Sequence, residues 1–206
     1  MKIIISEIFE SIQGEGKYTG TPMIFVRISG CTRTCWFCDT KYHTQGIEMD
    51  TKNIIEIINN SILDYVCWTG GEPLLQKKQI FEIMDKTSDK YHHIETNGDL
   101  LKDNDMFRFN YIACSPKERK IAKRISIFLQ GNPSKNPDHK HIDIKVVTDL
   151  EKEGIDMLEY ATCIMPLTSY TDKDKKVYTK VWEYCVKNNI RFTPRLQTIF
   201  GRKRGI

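Results

Sequence analysis

Three cysteines crowd one short stretch of this 206-residue sequence, Gly30-Cys31-Thr32-Arg33-Thr34-Cys35-Trp36-Phe37-Cys38-Asp39-Thr40, with the spacing C-x3-C-x2-C. A loop of this length can turn three thiolates toward one point, and three are one fewer than a closed metal site takes. Structural zinc almost always has four ligands, commonly as two separated pairs. The sequence holds no second pair, although His43 would complete a Cys3His set. A [4Fe–4S] cluster normally takes four cysteines, so a three-cysteine loop leaves one iron open to another ligand. Unrelated thiols are the third reading.

The elements that must position this loop follow from periodicity. Short β-rich apolar runs recur at Met23–Ile28, Tyr65–Trp68, His92–Glu95, Tyr111–Cys114, Ile142–Val147, Thr162–Pro166 and Ile190–Thr193. Helical stretches follow several of them. Thr51 reads as the cap of a helix carrying Ile54, Ile55, Ile57 and Ile58. Pro73 suits the first turn of a helix through Phe81 and Met84, and Asp149 the cap of a helix over Leu150–Tyr160. Val177, Val181, Trp182 and Cys185 form an apolar stripe expected in the core. Residues 109–136 mix charges, Gly131, Pro133 and a short apolar run, and read as an irregular insertion. Strand–helix alternation with right-handed crossovers builds a parallel sheet covered by helices. A full eight-unit barrel needs about 250 residues, so the expectation is an α/β fold: an open, incomplete βα barrel of about six parallel strands in a single domain, 1–206.

The unusual residues then fall at strand ends. The cysteine loop follows the first parallel strand, Thr69-Gly70-Gly71-Glu72-Pro73 the second, Thr96-Asn97-Gly98 the third and Ser115-Pro116-Lys117 the fourth. Lys145 lies in the fifth, and Met165-Pro166-Leu167-Thr168 ends the sixth. Carboxyl ends of strands are where barrels and open α/β sheets build their sites. Taken alone, GGEP and ETNG are ordinary turn signals; five such elements in sequence argue for one shared pocket.

Composition bounds the class. With 40% hydrophobic and 28% charged residues the chain reads as globular. No apolar run approaches a membrane span, and MKIIISEIFE lacks the long apolar centre of a signal peptide. A cytoplasmic protein with no membrane partner is expected. Seven cysteines are an odd set for a disulfide framework; Cys67, Cys114, Cys163 and Cys185 each sit in an apolar segment and read as buried thiols. The net charge of +4 is mild, and the basic runs 117–124 and 202–204 read as solvated faces, not a nucleic-acid site.

The cysteine spacing, with an aromatic residue at Phe37 before the third cysteine, resembles the signature of the radical S-adenosylmethionine (SAM) superfamily. The N-terminal run Ser6-Glu7-Ile8-Phe9-Glu10-Ser11-Ile12-Gln13-Gly14-Glu15-Gly16, then Gly20-Thr21-Pro22 and Phe25-Val26-Arg27, narrows this. Together with C-D-T, TGGEPLLQ, ETNG, CSPK and the terminal R-L-Q…G-R-K-R-G-I, it resembles the 7-carboxy-7-deazaguanine synthase family over essentially the whole chain. That resemblance implies a radical SAM partial barrel and a lyase turning 6-carboxy-5,6,7,8-tetrahydropterin into 7-carboxy-7-deazaguanine with loss of ammonia, an early step toward queuosine-type bases. It further implies a [4Fe–4S] cluster, SAM and Mg²⁺, a homodimer, and an electron donor such as flavodoxin or ferredoxin.

By the same resemblance, Cys31, Cys35 and Cys38 hold the cluster. Gly71, Glu72, Gly98, Ser115, Pro116, Lys117 and the stretch Met165, Pro166, Leu167 and Thr168 contact SAM. Ile12, Gln13, Gly14, Arg27, Thr96 and the terminal Ile206 contact the pterin, with Arg27 on its carboxylate, and Thr40 ligates Mg²⁺. A surface salt bridge is the competing reading of Arg27. The chain departs from the pattern at Met165, where relatives often place a glutamine before the proline. Two rivals remain: a glycyl-radical-enzyme activase, which shares the cysteine spacing, and a non-catalytic zinc or nucleic-acid-binding module using Cys31, Cys35, Cys38 and His43 with the basic tail.

Overall fold

The computed structural model describes residues 1–131, 142–168 and 174–200. Among these residues the strands are β1 (Lys2–Ile12), β2 (Pro22–Ile28), β3 (Ile47–Asp50), β4 (Tyr65–Gly70), β5 (Tyr91–Thr96), β6 (Tyr111–Cys114), β7 (Ile142–Thr148), β8 (Cys163–Pro166) and β9 (Arg191–Phe192). The helices are α1 (Thr51–Asn60), α2 (Lys77–Lys86), α3 (Arg119–Gly131), α4 (Asp174–Asn188) and the short α5 (Leu196–Ile199). The strands form a single sheet in the order β3-β1-β2-β4-β5-β6-β7-β8-β9.

From β2 to β9 every neighbouring pair is parallel, while β1 lies antiparallel between β2 and β3. The two edges, β3 and β9, do not pair, so the barrel is open as expected, and the parallel series ends in a two-residue stub, β9. The antiparallel pair β1 and β3 was not legible in the pattern, because β1 carries polar and apolar residues side by side with a register shift between Ile5 and Glu7.

Side chains in a strand alternate faces, and here the two faces have opposite chemistry. Ile24, Val26 and Ile28 of β2, Val66 and Trp68 of β4, and Ile142, Ile144 and Val146 of β7 pack outward into one apolar core with the helices. Burying an isoleucine of this kind stabilises by about 1.5–3 kcal/mol. The opposite face carries Arg27, Glu95 and Lys145, which line a cavity inside the barrel. Below them the barrel is plugged by aromatic rings: Tyr18, from the β1–β2 loop, packs on Tyr65, His93 and Tyr111. Asp143 accepts from Tyr111 and Thr162 and pairs with Arg191 at the same level.

Several helical expectations change. The cap of α1 is Asp50, whose carboxylate accepts from Lys52 N at 3.2 Å; Thr51 is the first helical residue, buried, and its hydroxyl accepts from the Met1 amine at 2.8 Å. Pro73 opens a 3-10 turn, Pro73–Gln76, that leads into α2. Asp149 does cap a turn, accepting from the amides of Glu151, Lys152 and Glu153. No α-helix follows, because Leu150 and Gly154 take positive φ, and only a 3-10 turn, Ile155–Tyr160, forms. The supposed irregular insertion contains α3, whose Ile121, Ala122 and Ile125 are buried; the interleaved charges of an amphipathic face had hidden that spacing. Val181 and Cys185 of α4 are core, but Trp182 is exposed and packs edge-on against Phe192 at 5.2 Å, since one residue turns a helix about 100° off its buried stripe. No helix among the described residues is long and apolar enough to cross a membrane.

Candidate active site

The loops at the carboxyl ends of the parallel strands close around a cavity of about 300 Å³. Its mouth is the cysteine loop. Cys31, Cys35 and Cys38 are unpaired, partly exposed and all line the cavity. Burial raises the Cys31 thiol, and Glu72, Cys38 and Cys35 raise it further, so the three sulfurs share one electrostatic neighbourhood. A bound cation reverses that unfavourable grouping of thiolates. His43, the fourth member of a Cys3His set, is buried off the cavity wall with its carbonyl accepting from Gly30 N, so the three cysteines on the wall fit a cluster better than that zinc set.

Two glycines let the loop come close. A Cβ on Gly70, whose φ is +132°, would collide with the backbone of Ile28, and one on Gly71 would collide with Gly30 O and lie 2.8 Å from Cys31 Cβ. Only glycine allows that approach. The loop is pinned to the β5 turn by Arg33, whose guanidinium grips Asp99 at 2.6 and 2.7 Å, and by Thr32, which donates to Asp99 at 2.8 Å. Glu72 ties the GGEP and ETNG turns together. Its buried carboxylate accepts from Leu74 N at 3.0 Å, Thr96 Oγ1 at 2.8 Å and Asn97 N at 2.8 Å. Burial raises its pKa against those donors.

The other expected residues fall as follows. Ile12, Gln13, Gly14, Arg27, Thr40, Gly71 and Thr96 line the cavity, as do Ser115, Lys117, Met165 and Leu167. Pro116 lines a neighbouring hollow that shares Cys35 and Phe37 with the cavity. Glu72, Gly98, Pro166 and Thr168 are not on the cavity wall. Glu72 acts through its bonds to the two turns, Thr168 accepts from Arg195, and Gly98 backs onto Cys114 and Ile121. Ile206 lies outside the described residues. Lys117 is half-buried and donates to Ser115 O and Oγ at 3.0 and 2.9 Å; desolvation lowers its pKa. Arg27 is held on its strand neighbour Glu7 at 2.6 Å, lies over the Phe9 ring, and donates to Thr40 Oγ1 at 3.4 Å. Thr40 in turn donates to Asp39 at 3.0 Å.

A charged floor was missed at the sequence level. Lys145 reaches from β7 to Glu15 at 2.6 Å and Glu95 at 2.8 Å, with its side chain 4% exposed. Arg195 pairs with Glu15 and Asp39 and donates to Thr168 at 2.8 Å. Burial alone would raise the Glu15 carboxyl, but Lys145 and Arg195 outweigh it and hold the pKa at about 2. Burial would equally lower the Lys145 amine; Glu15 and Glu95 instead hold it well above the usual range. Both groups stay charged across any working pH, so they orient and stabilise without trading protons. The one signal was Lys145 itself, noted within the strand run 142–147 but without its partners, since buried lysines are rare unless paired.

Comparison with known proteins supplies the context. The model of the radical SAM superfamily matches residues 25–113. A 7-carboxy-7-deazaguanine synthase of Thermoplasma acidophilum is 37% identical over 72% of this chain and 73% of its own length. One from Pyrobaculum aerophilum is 27% identical over 99% of this chain and 97% of its own. The crystal structure of QueE from Escherichia coli superposes with a TM-score of 0.57 at 18% identity, covering 94% of each chain, which bears on the fold.

Proposed function

The chain belongs to the 7-carboxy-7-deazaguanine synthase family of radical SAM enzymes, and we propose that its cavity converts 6-carboxy-5,6,7,8-tetrahydropterin to 7-carboxy-7-deazaguanine and ammonia. The observation that carries this is the placement of the three cysteines at the mouth of a cavity whose wall also holds Arg27, Gln13 and Gly14. When bound, the cluster and SAM supply the one-electron chemistry that takes a hydrogen atom from the substrate. Cys31, Cys35 and Cys38 would hold the cluster, and the surroundings of Gly71, Ser115 and Lys117 the SAM. Glu72 supports that contact by fixing the β4 and β5 turns on each other.

For the substrate, Arg27 offers a guanidinium that suits a carboxylate, kept in orientation by Glu7 and Phe9. Ile12, Gln13 and Gly14 offer backbone and amide groups, with the Gln13 side chain set by Glu15 N at 3.1 Å and Glu95 at 3.3 Å. Thr96 gives its proton to Glu72, which leaves its hydroxyl an acceptor. Thr40 gives its proton to Asp39, which would leave its oxygen a lone pair to hold Mg²⁺. We further propose a homodimer, a flavodoxin- or ferredoxin-type electron donor and a cytoplasmic location. The test is anaerobic reconstitution with iron and sulfide, then turnover with SAM, dithionite, Mg²⁺ and the carboxypterin. The deazaguanine acid should appear by mass spectrometry, and a cluster-loaded protein that yields none refutes the assignment.

A further inference from the structure

Beneath the cavity lies a buried titratable ring that the proposed chemistry does not use. His93 stands on β5 two residues before Glu95, and so on the same side of the strand. Its side chain is 2% exposed, packed edge-on against Tyr111 at 4.7 Å and tilted against Tyr18 at 5.9 Å. Neither ring nitrogen makes a hydrogen bond among the described residues, although Nε2 lies 3.3 Å from Glu95 Oε1. Buried ring nitrogens are normally paired; this one is within reach of a carboxylate without bonding it. The reason stands on the other side of Glu95. Oε1 already accepts from Gln13 Nε2 at 3.3 Å, while Oε2 accepts from Lys145 at 2.8 Å. Gln13 and Glu95 both line the cavity.

Both N–H groups of the Gln13 amide are engaged, one on Glu95 and the other on Cys67 Sγ at 3.8 Å. The amide is planar and rigid, so turning its nitrogen to a ligand breaks both bonds together. Glu95 Oε1 is then stripped of its donor on a wall that the ligand has just closed to water, and an unmet acceptor there costs more than an ordinary hydrogen bond gains. We propose that His93 is a positioning residue: when the ligand draws the Gln13 amide away, the imidazole Nε2–H takes its place on Glu95 Oε1 and keeps the carboxylate where Lys145 holds it. This rests on the reading that Gln13 meets the carboxypterin in this cavity. The exchange needs no movement of the strand. The last torsion of a glutamate is soft, so a small turn of the carboxylate brings Oε1 onto the ring, and the ring itself stays wedged between Tyr18 and Tyr111.

Steady-state turnover of the carboxytetrahydropterin by cluster-loaded enzyme, with SAM, dithionite and Mg²⁺, tests this in the wild type and three variants. His93→Phe keeps an aromatic ring and loses the N–H, His93→Gln sets an amide nitrogen near the place of Nε2, and His93→Asn sets one near the place of Nδ1. Thermal melting and SAM cleavage without substrate report that fold and cluster are intact. The exchange stabilises ground state and transition state alike, so its loss raises KM and spares kcat. His93→Phe and His93→Asn should raise KM about tenfold, as for one hydrogen bond to a charged acceptor, whereas His93→Gln should keep a KM close to that of the wild type. The Gln and Asn pair decides even where the ring replacement loses stability. A wild-type KM in His93→Asn, or an equal rise in His93→Gln and His93→Asn, overturns the role of His93. A cluster-loaded wild type that gives no turnover overturns the cavity assignment beneath it instead.

Discussion

Replacing Lys145 with methionine removes the cation that bridges Glu15 and Glu95 while nearly keeping the length and volume of the side chain. Glu15 is largely buried on the cavity wall, and its pKa falls from 4.5 to about 2 on folding. At about 1.4 kcal/mol per unit, that shift is worth roughly 3 kcal/mol to the folded state. The raised Lys145 and the lowered Glu15 describe one attraction, so it is counted once. Stripping one partner from a buried pair typically costs about 3–5 kcal/mol, and the variant should lose that much at pH 7.5. The sign with pH is specific. In the wild type the contribution of Glu15 is complete above 4.5 and is lost as pH falls through 4.5 toward 2. In Lys145→Met burial pushes the same carboxyl up, with only Arg195 and the Gln197 amide opposing it, so protonation relieves the variant sooner. Urea unfolding followed by circular dichroism at pH 7.5 and pH 5.0 should show the gap between variant and wild type narrowing in acid. A loss under about 1 kcal/mol, the range of exposed ion pairs, or an equal loss at both pH values refutes the coupled floor.

Three further outcomes follow from the placement of the site. Alanine at Cys31, Cys35 or Cys38 should abolish cluster incorporation, read as iron, sulfide and visible absorbance, whereas alanine at Cys67, Cys114, Cys163 or Cys185, which are buried away from the loop, should leave the spectrum intact. Arg27→Lys should sharply reduce turnover while uncoupled SAM cleavage survives, and Arg27→Ala should weaken carboxypterin binding by about 2–5 kcal/mol, as for a truncated buried charge pair; unchanged affinity refutes that contact. Thr40→Val should lower turnover and blunt its Mg²⁺ dependence with the cluster untouched, and a wild-type magnesium titration curve in that variant rules out the metal role.

The parallel strands were legible because a parallel strand buried on both faces is a near-continuous apolar run, as in Tyr111–Cys114 or Cys163–Pro166. The turns after them were legible because glycine, proline and asparagine mark where a strand hands over to a helix. What lay hidden was whatever depends on partners distant in the chain. Thr51 looked like a cap because threonine caps helices, yet Asp50 takes the amide and Thr51 is enclosed by the Met1 amine. Leu150 carries no mark of its positive φ, so the turn that stops a helix after Asp149 had no signature.

The site divides along the same line. Its upper rim is built from contiguous motifs, and their local spacing already says which atoms can meet. Its floor is assembled from Glu15, Glu95, Lys145 and Arg195, which stand on four separate segments and meet only because the open sheet curves. Each is unremarkable where it stands in the chain, apart from a lysine within a buried strand. Once together they are strongly coupled: Lys145 and Arg195 hold the Glu15 carboxyl down against burial, and Glu15 and Glu95 hold the buried Lys145 amine up. That mutual dependence gives the floor a fixed polarity before any ligand arrives.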